Sequence, residues 1–262
     1  LEHVRDLPLE VACILNISED HLDRYDDFNE YIEAKFNILK AVSDNGKIVF
    51  NKDDSILNKR IIKNNNVIAF SLDDIKSNNL NIDSIHLIGD HNYSNISAAL
   101  AISKIYNIDI NIFKDVIGCF NPLPHRLEYL LTIDDTRIYN DSKATNLDSM
   151  MVAIDSFKDD IVMIVGGLDK GKTDFYKALK KYSDKITHIS CYGKSGKAIF
   201  NQFKDHIDSS YNNDFSVAVS KAISECRGSD ILLFSPGCAS YDQFNSYLER
   251  GDKFKEIIYG LS

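Results

Sequence analysis

A chain of 262 residues with 30 Lys and Arg against 39 Asp and Glu carries a formal net charge of −9, which argues against a nucleic-acid surface, because phosphate backbones are held by clustered cations. Apolar residues at 44% and charged residues at 26% are ordinary for a globular chain, and the length suits about two domains, each with its own core. No apolar run approaches the roughly 18 residues of a membrane span and no N-terminal signal segment is recognisable, so a cytoplasmic monomer without nucleic-acid or membrane partners is expected.

The first strand expected is VACILN (11–16), close to an initial Leu, as in a piece of something longer. A helix over 28–42 follows, then strands KIVFN (47–51) and NVIAF (66–70), a helix over 92–105 with Ile96, Leu100 and Ile102 on its apolar face, and a short helix over 110–117. Two prolines in Asn121-Pro-Leu-Pro-His-Arg126 break the pattern, and the domain boundary is placed there, giving domains 1–123 and 124–262. Beyond it, LEYLLTI and TRIYN flank Asp134-Asp135 and read as a hairpin, followed by strands IVMIV (161–165), HISCYG (188–193) and ILLFS (231–235) with helices between. Strand-length apolar runs alternating with amphipathic segments make this an α/β protein with largely parallel sheets. Cys13, Cys119, Cys191, Cys226 and Cys238 are scattered, with no C-x-x-C pair; they are expected to be mostly buried thiols.

Several polar stretches follow strands, where open α/β sheets place their ligands. NISEDHLDRY (16–25) offers Asp20, His21 and Asp23, or simply a capped helix start at Ser18. Lys35 in YIEAKF reads as an exposed helix lysine unless an acidic, metal-binding site lies near it. GDHNYSNISAAL (89–100) opens a helix with His91, Asn92 and Asn95; an Asn there is a cap or a paired donor and acceptor for an adenine edge. YNDSKATN (139–146) collects Asp141, Ser142, Lys143, Thr145 and Asn146, more than a capped turn needs. In SPGCASYDQF (235–244), Ser240 is expected to head a helix whose N-terminus attracts a carboxylate or phosphate.

In this order EDHLDRY, YIEAKF, GDHNYSN, LPHRLE, NDSKATN, GGLDKGKTDF and SPGCASYDQF resemble the Mur ligases of peptidoglycan synthesis, and their D-glutamate-adding branch in particular. The resemblance implies the remainder of a central ATPase domain followed by a Rossmann-like C-terminal domain. It implies a reaction in which ATP phosphorylates the alanine carboxylate of UDP-N-acetylmuramoyl-L-alanine and the amine of D-glutamate attacks the acyl phosphate. By motif, His21 would bind magnesium with Lys35 as a carbamate. Asn95 would contact adenine, Arg126 the nucleotide phosphates and Asp141 the ribose. Lys143, Thr145, Lys170, Ser240 and the backbone around Tyr241 would hold D-glutamate beside Tyr247, with His125 lining the cleft. The family's first domain and its ATP loop, G-T-N-G-K-[ST], have no counterpart among these residues, so this chain by itself is expected to be inactive. The segment 71–88 is also shorter than in better-known relatives.

One motif competes with that resemblance. Gly166-Gly-Leu-Asp-Lys-Gly-Lys-Thr173 fits the phosphate-loop pattern G-x-x-x-x-G-K-[ST] and follows an apolar run. A phosphate-loop NTPase would use Lys172 and Thr173. In the Mur ligase reading Thr173 and Asp174 instead cap a helix with Phe175, Leu179 and Tyr182 on one face, so that the helix begins at or after 172–173. A domain that binds the amino acid without catalysis is a further alternative.

Overall fold

The computed structural model describes residues 8–17, 25, 27–61, 66–80, 87–120, 122–169, 171, 173–228 and 230–261. The chain divides into two compact units, Leu1–Asn121 and Pro122–Ser262.

In the first unit, strands β1 (Leu9–Ile14), β2 (Val42–Asn51) and β3 (Val67–Phe70) form a parallel sheet in that order. Helix α1 (Phe28–Phe36) is capped by Asp27, which accepts from the Glu30 N–H at 2.9 Å. The expected helix over 28–42 is cut short: the chain tightens into a 3-10 segment, Asn37–Ala41, and β-branched Val42 is already a strand residue paired with Leu9. Helices α2 (Ser55–Arg60) and α3 (Asp73–Ser77) are additions to the elements expected. Helix α4 (Asp90–Ile105) buries Ile96, Ala98, Leu100 and Ala101, with Ile102 partly buried, and α5 (Ile110–Gly118) starts from an Asp109 cap.

In the second unit, β4 (Glu128–Ile133) and β5 (Thr136–Asn140) pair antiparallel through the Asp134-Asp135 turn, as expected. Helix α6 (Leu147–Asp155), β6 (Ile161–Gly166), α7 (Phe175–Leu179), β7 (Ile186–Tyr192), α8 (Gly193–Phe203), β8 (Ser209–Asn212), α9 (Phe215–Glu225), β9 (Ile231–Gly237) and α10 (Tyr247–Tyr259) complete it. The sheet order is β4-β5-β9-β6-β7-β8, and every neighbour from β5 onward is parallel. Every residue of β6 and β9 is buried, as expected of parallel strands covered on both faces. Phe215, Ala218, Val219 and Ala222 of α9 and Phe254 and Ile258 of α10 pack on Val162, Ile164, Leu232 and Phe234. By alternation, the equally buried Ile161, Met163 and Val165 face the other side. The polar β8, SSYN, carries no apolar signature and stood outside the sequence expectation.

No described helix is long and apolar enough to cross a membrane. Of the cysteines, Cys191 and Cys238 are buried, Cys13 and Cys226 half-buried, and Cys119 is exposed, which corrects the expectation of mostly buried thiols. Cys119 is the residue that caps the carboxyl end of α5.

Candidate functional site

Because β5, β9 and β6 are parallel neighbours, the loops that leave them open at one sheet edge. The loop after β5 is held mainly from within. Asn140, fully buried, donates through Nδ2 to His125 Nδ1 (3.0 Å) and to the Gly251 carbonyl (3.1 Å), while its Oδ1 accepts from the Ser142 N–H at 3.2 Å. Asp141 accepts from the Leu127 N–H at 3.2 Å and the Ser235 hydroxyl at 2.8 Å. Burial pushes its carboxyl up to about 7, against the opposing pull of those hydrogen bonds and of Arg126 and Arg250. The Lys143 N–H donates to the His125 carbonyl at 3.0 Å, and the Ala144 carbonyl accepts from the Gly237 N–H at 3.0 Å. With the loop fixed by its buried members, Lys143 and Thr145 are exposed. Asn146 caps α6 by accepting from the Ser149 N–H, so one of the five polar residues is accounted for locally.

The loop after β9 turns at Gly237, whose φ of 66° and whose missing Cβ, which would lie 2.4 Å from Met150 Cε, both demand glycine. Ala239 then pairs with Leu168 through two backbone hydrogen bonds of 2.8 and 3.1 Å, joining this loop to the one after β6. Ser240 is buried. It heads a turn, not a helix: its carbonyl accepts from the N–H groups of Gln243 and Phe244, and α10 starts only after the Ser246 cap. Two side chains draw the chain out of helical geometry there. Phe244 packs edge-on to Phe215, and the Asp242 carboxylate turns away to accept from the Lys194 N–H at the start of α8. The anion attraction expected from a helix N-terminus at Ser240 therefore falls away. Tyr241 is 66% exposed, and Tyr247 is half-buried with its ring 6.5 Å from that of His125.

The loop after β6 carries the phosphate-loop letters and engages several of them internally. The Asp169 carboxylate accepts from the Gly171 N–H (3.3 Å), the Thr173 N–H (3.0 Å) and the Thr173 hydroxyl (2.7 Å). Groups that would cradle a phosphate in a working loop of this kind are taken up by the chain's own anion. Helix α7 has five residues and begins beyond Thr173, capped by Asp174 as expected. Lys170 and Lys172 lie outside the described residues.

His125 is buried, as are Asp141 and Ser240. Its ring packs where Gly251 has no side chain, and burial, aided by Lys255, lowers its pKa, so Nδ1 stays an acceptor for Asn140. Arg126, next to it, is exposed. Two site-shaping residues escaped the sequence reading: Asn140 and Arg250, the latter completely buried beneath these loops. A lone Arg on an amphipathic helix reads as solvent-facing, and only its neighbour Gly251 hinted at close packing.

In the first unit, His21, Asp20 and Asp23 lie outside the described residues. Lys35 is half-buried in the last turn of α1 with its ammonium 5.0 Å from the centre of the Tyr31 ring, and Asn95 is half-buried early in α4. Elsewhere in the second unit, His188, Asp208 and Glu225 lie close enough together to hold a metal. Both imidazole nitrogens are nevertheless engaged, with Asp208 and Ser210, and Glu225 is paired with Lys221. The cluster is satisfied internally.

The family description "Mur ligase middle domain" matches residues 1–81, and "Mur ligase, glutamate ligase domain" matches residues 125–238. The chain is 34% identical over 283 residues to a UDP-N-acetylmuramoylalanine--D-glutamate ligase of Clostridioides difficile, covering 100% of this chain and 62% of that one. A protein of the same name from Rickettsia prowazekii is 33% identical, covering 98% and 62%. The chain thus spans about 62% of the length of these relatives. Among solved structures, a MurF ligase from Thermotoga maritima in complex with ADP has a TM-score of 0.68 at 14% identity, over 97% of this chain and 64% of that one. Escherichia coli FolC in complex with DHPP and ADP has a TM-score of 0.64 at 13% identity, over 97% and 62%. At such identities these two structures speak for the fold.

Proposed function

The chain belongs to the Mur ligase family, and on that premise we propose that it carries the later part of the ATP-binding domain and the amino-acid-binding domain of a ligase that adds D-glutamate to UDP-N-acetylmuramoyl-L-alanine. The observation that carries the reading is the convergence of NDSKATN and SPGCAS at the ends of adjacent parallel strands, linked by the Asp141–Ser235 hydrogen bond. Lys143 and Thr145, exposed on a fixed backbone, supply an ammonium and a hydroxyl for carboxylate oxygens; Ser240, the backbone at Tyr241, and Lys170 complete the set, with Tyr247 beside it.

In the proposed reaction the terminal phosphoryl of ATP passes to the alanine carboxylate, the D-glutamate amine attacks the acyl carbon, and the tetrahedral intermediate collapses to the amide with phosphate as leaving group. The second unit's part is to hold the amino acid by its carboxylates so that its amine is free and oriented. Within the second unit Arg126 is assigned to nucleotide phosphates and Asp141 to the ribose; within the first, Asn95 is assigned to adenine. Magnesium enters the reading through His21 and a carbamylated Lys35. Unmodified, Lys35 presents an ammonium to the Tyr31 ring, and an ammonium is not a metal ligand; as a carbamate it would offer oxygens to the ion. No G-T-N-G-K-[ST] loop occurs within the 262 residues, and these residues by themselves are expected to show no ligase turnover.

The test is a calorimetric titration of Mg-ATP into this chain and into Lys172→Ala, each shown to be folded by circular dichroism. Weak or absent binding, equal in both, supports the ligase reading. Micromolar binding abolished by the substitution would make GGLDKGKT a working phosphate loop and sink it.

A further inference from the structure

Arg250 lies in the first turn of α10 and is 0% exposed. Its guanidinium donates from Nε to the Ser142 hydroxyl (3.0 Å), from Nη2 to the Ser142 carbonyl (2.7 Å), and from Nη1 to the Cys238 carbonyl (3.0 Å) and the Tyr192 hydroxyl (3.3 Å). Ser142 immediately precedes Lys143, and Cys238 stands two residues before Ser240. The Ser142 hydroxyl passes the chain of hydrogen bonds on to the Tyr247 carbonyl at 2.8 Å, closing it back on the helix that carries Arg250. The end of β6 joins in: a Cβ on Gly167 would lie 3.2 Å from Nη1.

None of these four partners is a carboxylate. Burying a cation among neutral acceptors is a poor way to gain stability, since an apolar side chain of similar volume does as well or better. What the planar fork supplies is geometry: several donors in fixed directions, two of them on Ser142 and the third nitrogen on Cys238 and Tyr192, so that three segments are held at once. A lysine ammonium, a single rotating centre, cannot reach both sides of Ser142 and the Cys238 carbonyl in that arrangement.

We infer that Arg250 is a positioning residue that locks the 141–146 loop to the 235–240 loop, so that Lys143, Thr145 and Ser240 are presented together to one anionic amino acid. The ligand part of this inference rests on the function proposed above; the locking part does not.

The experiment measures backbone amide exchange by nuclear magnetic resonance, and D-glutamate binding by shift titration, on the 262-residue chain and on Arg250→Lys, Arg250→Met, Arg250→Ala and Ser142→Ala. Hydrogen bonds to a charged group at this depth set the expected scale at about tenfold or more. Arg250→Lys and Arg250→Met each speed exchange by that factor in 141–146 and 238–240 together, leave Met163 and Leu233 protected, and weaken D-glutamate by a similar factor. Ethylguanidinium added to Arg250→Ala restores both readouts in part, which a bulk packing role would not allow. Ser142→Ala, which strands no charge, gives a smaller loosening of the same two loops. Loosening confined to α10 would overturn the inference. Should Arg250→Met fail to fold, unchanged exchange at 238–240 in Ser142→Ala would overturn it as well. If both loops loosen as expected but the unsubstituted chain binds no D-glutamate, the ligand assignment falls and the lock stands.

Discussion

The Asp141 carboxyl sits where its own charge is disfavoured, 5% exposed and pushed up to about 7 by burial. A raised folded pKa means that the folded state binds the proton more tightly than the unfolded chain does. This group's stability contribution is therefore present below its unfolded value near 4 and is lost as pH rises through about 7. Urea unfolding at pH 5 and pH 8 should show the chain losing more stability on this rise than Asp141→Asn does, by on the order of 2 kcal/mol. A second residue-scale prediction concerns Gly251. Alanine there gains about 1 kcal/mol of helix propensity, but its Cβ would lie 2.2 Å from His125 Nδ1, in a ring fixed by Asn140. The clash wins, and Gly251→Ala should destabilise the second unit by about 2 kcal/mol in denaturant melts. At this scale the sequence was legible where polar letters cluster, as in NDSKATN. It was mute where one residue acts through partners more than 100 positions away, as Arg250 does on Ser142.

The hairpin of β4 and β5 could be read from Asp134-Asp135 between two apolar runs, and both residues indeed have positive φ, 44° and 65°. Left-handed backbone costs a side-chain-bearing residue roughly 1 kcal/mol that glycine is spared. Asp135→Gly should accordingly raise the stability of the second unit by about that amount, read as a higher denaturant midpoint with unchanged slope. Strands β6 and β9 were legible for a different reason, their uninterrupted apolar runs. Strand β8 was not, because SSYN is held by pairing with β7 and has no apolar face of its own. The end of α1 was misplaced because 37–41 has helical composition while Val42 is drawn away by its partner Leu9. Ser240 was placed at a helix start on its neighbours' letters; the tertiary pull on Asp242 and Phe244 decided otherwise.

For the molecule as a whole, the alternation of strands and helices was enough to give an α/β chain of parallel sheets, and the Mur ligase resemblance is borne out by the family matches along both units. A net charge of −9 gives no general attraction for acidic ligands, so the proposed anionic amino acid would have to be held by local groups, Lys143 foremost in this proposal. Lys143→Ala should therefore weaken D-glutamate about tenfold or more while leaving the thermal melt unchanged, since the side chain is exposed. The most direct test of the account is a titration of the isotope-labelled chain with D-glutamate and, separately, with L-glutamate, followed by amide shifts. Saturable shifts are expected with the D-isomer at Lys143, Thr145, Ser240 and Tyr241, and much weaker ones with the L-isomer. Equal response to both isomers, or shifts confined to residues away from the 141–146 and 235–240 loops, would contradict it.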